Sequence, residues 1–406
     1  MSPVPDRSDL VHSRPGQPSS AFDDRPVRVC YVVSYFHPFA SGAERQALEQ
    51  GRELARRGHE VHVVTRDVPG YPITEEQIDG IYVHRWIKVW DRGPLFALSF
   101  VAGVIASLYR LRSAIDVVHT HQGLWEAVAT GLARPCLPGK PTLIQPASSG
   151  YYGEADELLR TRGSRLLRRF ILNNTAFAAI SGDIKRQWAA LGVPGTRMFR
   201  TVSGVDADHF HPGPSQVDAS LKPRPRVLFT GRLHPQKNLP LLLNAWPEVV
   251  RRTSANLIVV GPGDASPLRD QALALGISDH VQFVGPVADP AEHLRAADYF
   301  VLPSVAEGMS NSLLEAMATG LTCVVSGIGG NTDLIADRQT GRLVHEPTPE
   351  AWAGVLIELI ENPQVARQLG IEARKRIEAE FALPKVVDRY LEIYRKIRSD
   401  DWPVAP

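Results

Sequence analysis

Short apolar runs alternate with longer amphipathic stretches through most of this chain. Val27–Val33, Val61–Thr65, Ile81–Trp86, Asp116–His121, Thr142–Gln145, Ala176–Ile180 and Met198–Val202 have the length and apolar character of strands. Helical patterns separate most of them: Ala43–Arg57, which Gly58 ends, then Gly123–Leu132, a basic Leu158–Leu172, and a stretch starting at Asp183. Strands without a polar face, each followed by a helix, predict a parallel sheet covered on both sides.

The rhythm restarts after a Pro-containing stretch between His209 and Pro225 whose composition is that of an interdomain linker. Val227–Thr230, Leu257–Val260, Val281–Val284, Tyr299–Leu302 and Thr322–Val325 read as a second set of strands. Pro349 to about Ile397 reads as helical, with a break near Phe381–Pro384. The expected class is α/β, with two Rossmann-like domains at 27–208 and 226–383, a linker at 209–225, and a final helix within 384–406.

Composition narrows the function classes. With 44% hydrophobic and 22% charged residues the chain is of the soluble globular type, and 406 residues suffice for two domains. A net charge of +1 gives no global attraction to nucleic acid, and none is expected as a partner. Cys30, Cys136 and Cys323 are scattered without metal-ligand spacing and read as reduced residues of a cytoplasmic protein. Residues 1–26, rich in Pro, Ser, Asp and Arg, lack a signal-peptide core and read as a disordered tail. The uncharged Gly93–Tyr109 is shorter than the ~20 residues that span a bilayer. A buried helix is expected there, with a membrane-dipping helix as the alternative.

The most informative stretch is Tyr299–Met317, YFVLPSVAEGMSNSLLEAM. It reads as strand, loop and helix, with Glu307 in the loop and Glu315 in the helix. A helix N-terminus after a strand suits an anion, because free N–H groups and the helix dipole converge there. Carboxylates at such a place suit hydroxyl groups flanking a diphosphate, the shape of a nucleotide sugar.

Glu307 and Glu315, seven residues apart, together with EGMSNSLLEAMATG, resemble the E-x7-E motif of retaining GT-B glycosyltransferases of the group 1, family 4 class. The resemblance covers nearly all of Val27–Ile397. It implies a GT-B fold, with an acceptor domain first, a nucleotide-sugar domain second, and the last helix, roughly Lys385–Ile397, crossing back onto the first. Gly231–Asn238, GRLHPQKN, sits between a strand and a helix, on the edge where ligands of open α/β sheets bind, and is similar to the family's diphosphate loop.

By that resemblance Arg232 and Lys237 neutralise the leaving diphosphate without a metal, while Glu307 contacts the donor sugar and Glu315 the ribose. Gly231, Gly308, Ser310, Asn311 and Ser312 complete the donor-binding set. Gly42 opens the first helix where the family has Gly-Gly, and Gly263 belongs to a family G-x-G turn near the nucleotide. Val287 is a candidate base contact. Neither glycine loop has G-x-G-x-x-G, which argues against a dinucleotide oxidoreductase.

On the acceptor side, His119 and His121 alternate onto one face of a strand end, where a site role and a structural role weigh about equally. The histidine that many relatives carry after the next strand is absent: Gln145-Pro146-Ala147-Ser148-Ser149-Gly150 stands there, so Gln145 and Ser148 are the candidates. Asp206-Ala207-Asp208 has metal-motif spacing but lies at the domain junction, and no metal or cofactor is expected. Arg160, Arg162, Arg165, Arg168 and Arg169 make a helix with either a core-facing apolar side or an interfacial, lipid-facing one.

The expected activity is retaining transfer of a sugar from a UDP- or GDP-sugar to a hydroxyl of a carbohydrate or lipid-linked acceptor, in polysaccharide or glycolipid biosynthesis. The expected location is the cytoplasm, with the inner face of the plasma membrane as a variant. Two rival readings are a nucleotide-sugar epimerase of the same fold and a non-catalytic scaffold. The first fits the E-x7-E loop less well, and the second would be expected to lose Arg232, Lys237 or Glu307.

Overall fold

The structure is a computed structural model, and it describes residues 25–38, 42–68, 70–90, 92–399 and 402. The tail expected at 1–26 lies, except for Arg25 and Pro26, outside the described residues. The first half runs β1 (Arg28–Val32), α1 (Gly42–Arg56), β2 (Glu60–Arg66), β3 (Glu75–Ile78), β4 (Ile81–Ile87), α2 (Pro94–Leu111), β5 (Val117–His121) and α3 (Trp125–Ala133). It continues with β6 (Thr142–Gln145), α4 (Glu154–Arg160), α5 (Ser164–Leu172), β7 (Ala176–Ala179), α6 (Gly182–Ala190) and β8 (Met198–Arg200). The strands form one sheet in the order β3-β4-β2-β1-β5-β6-β7-β8.

Unlike the parallel sheet expected, this one carries an antiparallel edge, with β3 paired to β4. Asp79 and Gly80, at φ 49° and 85°, form the two-residue turn that joins them. Leu158–Leu172 is two helices, because Thr161 is extended and Gly163 takes a left-handed φ of 78°.

The second half runs β9 (Arg226–Thr230), α7 (Leu239–Arg252), β10 (Asn256–Val260), α8 (Ser266–Ala274), β11 (Val281–Gly285), α9 (Ala291–Ala296) and β12 (Tyr299–Leu302). After these come α10 (Asn311–Ala318), β13 (Thr322–Ser326), α11 (Asn331–Leu334), β14 (Arg342–Val344), α12 (Pro349–Glu361), α13 (Pro363–Arg376) and α14 (Leu383–Arg398). Its sheet, ordered β11-β10-β9-β12-β13-β14, is parallel throughout. The C-terminal helical stretch breaks twice, at Asn362-Pro363 and through a π turn at Ile377–Phe381.

The last helix belongs to the first sheet's core. Val386, Tyr390 and Tyr394 are buried among Val29, Tyr31 and Val117, so the chain ends packed on the half in which it began. This places α14 beneath the strand ends that face the second half. The Tyr390 hydroxyl donates to Gln145 Oε1 at 2.6 Å, and the Tyr394 hydroxyl lies 2.7 Å from His119 Nδ1. No helix among the described residues is long and apolar enough to cross a membrane. The helix α2 instead buries Phe100, Val104 and Leu108 against the first sheet.

Candidate active site

The carboxyl ends of the two sheets face each other across a cleft of about 1170 Å³. On the second half, the loops after β9 and β12 run side by side: Val305 N–H donates to Gln236 O at 2.9 Å, and Gln236 Nε2 to Ala306 O at 2.8 Å. That pairing brings Lys237 Nζ to 2.5 Å from Glu307 Oε1. The Ser304 hydroxyl donates to the same oxygen at 2.6 Å. Both ion-pair partners are largely out of water, so neither charge is strongly screened. Arg232 and Gly231 line the cleft beside them.

Below this pair, Ser310 caps α10 by accepting the Leu313 N–H, and Ser310, Asn311 and Ser312 at that helix end line the cleft. Glu315 is buried one turn on, and burial pushes its carboxyl up to about 7. Arg45, from α1 of the opposite half, pulls the other way with an ion pair at 2.8 Å. Neighbouring Gln46 ties the halves together, donating from Nε2 to Gly204 O at 2.8 Å and to Asn311 Oδ1 at 3.1 Å. Asn311 Nδ2 in turn donates to Gly42 O at 3.0 Å.

The wall from the first half is built on the loop after β6. Glu154, at the start of α4, accepts the backbone N–H groups of Ala147 at 2.8 Å and Ser148 at 2.9 Å, and the Ser148 hydroxyl at 3.0 Å. The next residue, Ser149, donates its hydroxyl to Glu307 O at 2.8 Å across the domain boundary. Here the backbones touch: a Cβ on Gly308 would stand 2.1 Å from Ala147 O. Glu126, in the first turn of α3, accepts the Ser34 hydroxyl. Burial, with the like charges of Glu154 and Glu44 adding to it, pushes Glu126 up to about 7.

Comparison with known proteins agrees with this layout. Residues 40–209 match the family model described as Glycosyltransferase Family 4, and residues 224–362 the one described as Glycosyl transferases group 1. The chain belongs to the group 1, family 4 glycosyltransferases. N-acetyl-alpha-D-glucosaminyl L-malate synthase of Bacillus anthracis is 25% identical over 90% of this chain and 96% of its own length. D-inositol 3-phosphate glycosyltransferase of Nocardia farcinica is 28% identical over 93% and 91%. Among solved structures, Anabaena HepE in complex with UDP and glucose superposes with a TM-score of 0.76 at 18% identity, covering 90% of this chain and 99% of that one. The fold is GT-B, two Rossmann-like domains across a cleft, and the protein is a glycosyltransferase.

In this glycosyltransferase the cleft gathers Arg232, Lys237, Glu307, Glu315, Gly42, Gly231, Val287 and the Gly308–Ser312 segment. Gln145 and Ser148 also line it. Gly263 does not; it packs behind Leu233 while Gly261 and Pro262 take the cleft wall. His119 and His121 are not brought to the cleft either. They stack on each other at 4.2 Å in the interior, and burial holds both rings well below the usual imidazole range. Asp206 accepts the N–H groups of Asp208 and His209, each at 3.0 Å, so it caps a turn at the junction.

Sequence reasoning missed Arg45, Gln46, Glu126 and Glu154 as members of the cleft. For Glu126 a signal exists, since it is the one acid in the apolar run Leu124–Ala133. Nothing local marks Arg45 as the partner of an acid 270 positions away.

Proposed function

We propose that this glycosyltransferase moves a hexose from a nucleoside diphosphate sugar to an acceptor hydroxyl with retention at the anomeric carbon, using neither metal nor cofactor. The observation that carries the reading is the Lys237–Glu307 pair, set beside Arg232 at the N-terminal end of α10. The diphosphate would lie against the first turn of α10, with Glu315 accepting ribose hydroxyls in place of Arg45. The bond from C1 to the diphosphate oxygen breaks, and Arg232 and Lys237 take up the charge that develops on that oxygen. The acceptor oxygen bonds C1 from the same face, and its proton passes to the departing phosphate oxygen. Glu307, held by Lys237 and Ser304, orients the donor sugar's hydroxyls.

The complex of HepE with UDP and glucose supports a uridine donor, with GDP as the alternative. The relatives are named for malate and for inositol 3-phosphate, so acceptors differ among such enzymes. A lipid-linked or polysaccharide acceptor fits the exposed face that carries Leu159 and Leu166 beside Arg160, Arg162 and Arg165. Binding to phosphatidylglycerol vesicles that is lost in Arg165→Glu/Leu166→Glu supports membrane contact, and absence of binding rejects it. Proton NMR of the product made from an α-linked donor tests the chemistry. An α-linked product is expected; a β-linked product, or turnover to an epimerised donor, overturns the reading.

A further inference from the structure

The cleft wall opposite the donor loops has an unusual charge. Ser34, Gln122, Trp125, Glu126, Glu154 and Glu157 line it. The cations of the same cleft lie on α1 and the donor loop: Arg45 is held by Glu315 and Arg52 by Glu49 and Asp79, while Lys237 is held by Glu307 and Arg232 stands next to it. Apart from the His37 imidazole, no basic side chain lines the opposite wall among the described residues. Glu126 is only 4% exposed, and the Ser34 hydroxyl is the one hydrogen-bond donor that another described side chain gives it. Its own backbone N–H also bonds the carboxyl, which lines the cleft where a ligand would lie. Gln122, next to it along the wall, holds a left-handed φ of 111°, the kind of strain that accumulates at binding sites.

We propose that Glu126, flanked by Glu154 and Glu157, forms the acceptor subsite and selects an uncharged, hydroxyl-bearing sugar or polyol over one carrying phosphate or carboxylate. This rests on the transferase reading above and adds to it the chemical class of the acceptor. An acceptor's hydroxyls donate to the Glu126 carboxyl, and its ring face lies along Trp125 or Tyr152. Once Glu126 is ionised, a phosphate at the same depth meets its charge beside those of Glu154 and the exposed Glu157, and like charges repel. Glu154 is already saturated by Ala147 and Ser148, so it is a positioning residue: it holds the loop whose Ser149 grips Glu307.

The inference separates this protein from relatives named for malate and inositol 3-phosphate. Saturation-transfer NMR tests it with matched pairs, methyl α-glucoside against glucose 6-phosphate and myo-inositol against its 1-phosphate. Wild type, Glu126→Gln and the exposed-site variant Glu157→Gln are compared at about pH 8, where Glu126 is ionised, with and without UDP. The neutral member of each pair is expected to bind wild type, and at least about tenfold more weakly to Glu126→Gln, where a charge-assisted bond is lost. The phosphates are expected to bind only after one of the acids is neutralised.

Equal or tighter binding of the phosphates to wild type overturns the proposal. So does silence from both members of a pair, or an unchanged neutral-sugar signal in Glu126→Gln. Absence of any UDP effect on wild type counts against the transferase reading alone, because the neutral and anionic probes are also compared without UDP.

Discussion

Replacing Glu126 by Gln should change how stability depends on pH, and the structure sets sign and size. A carboxyl of ordinary value 4.5 is pushed by burial to about 7 in the fold. Between those limits the native state keeps a proton that the unfolded chain has lost, so stability falls as pH rises through this window and levels off above it. At about 1.4 kcal/mol per pH unit across that window, this amounts to about 3–4 kcal/mol as an upper figure. Gln keeps the shape and still accepts the Ser34 hydroxyl, but it does not ionise. The stability difference, variant minus wild type, should therefore grow by about 1 kcal/mol per pH unit from pH 5 to 7 and then stay flat. Urea unfolding of both proteins at pH 5, 6, 7 and 8 measures it. A difference that is constant with pH, or that shrinks as pH rises, refutes the assignment of a buried carboxyl that holds its proton.

Other perturbations follow from the same geometry. Glu315 is also pushed up to about 7, so UDP binding through an ionised Glu315 should strengthen as pH rises past 7; in Glu315→Gln calorimetry should show roughly tenfold weaker binding and no such trend. Gly308→Ala must move the Ala147–Ser149 loop, so unfolding should show a loss of about 1–3 kcal/mol and transfer should fall sharply. Gly195→Ala, with open space around it, should stay within about 0.5 kcal/mol of wild type by the same measurement.

Much of the fold was legible because parallel strands buried on both faces appear as nearly unbroken apolar runs, and β1, β9, β10 and β12 are of this kind. The edge strand β3, with sequence EEQI and half its residues exposed, carries no such signal. Its Asp79-Gly80 turn was the available clue. The donor half of the site was readable since its groups sit in two contiguous loops, 231–238 and 303–312. The acceptor half was not. Glu126, Ser34 and Glu154 meet through sheet order, and the visible His119-Thr120-His121 pattern turned out to pack under α14. A period of two gives the shared face of two histidines, but whether that face meets a cleft or a helix depends on where the last helix docks.

The central claim is that Arg232 and Lys237 receive the diphosphate of a nucleotide sugar. Isothermal calorimetry with UDP, GDP and ADP on wild type and Arg232→Ala/Lys237→Ala tests it most directly. The account predicts that one of these nucleotides, UDP first, binds wild type and binds the double variant at least about 100-fold more weakly, as expected from losing two charge-assisted contacts. Equal binding to both proteins, or no binding of any nucleoside diphosphate to wild type, would contradict it.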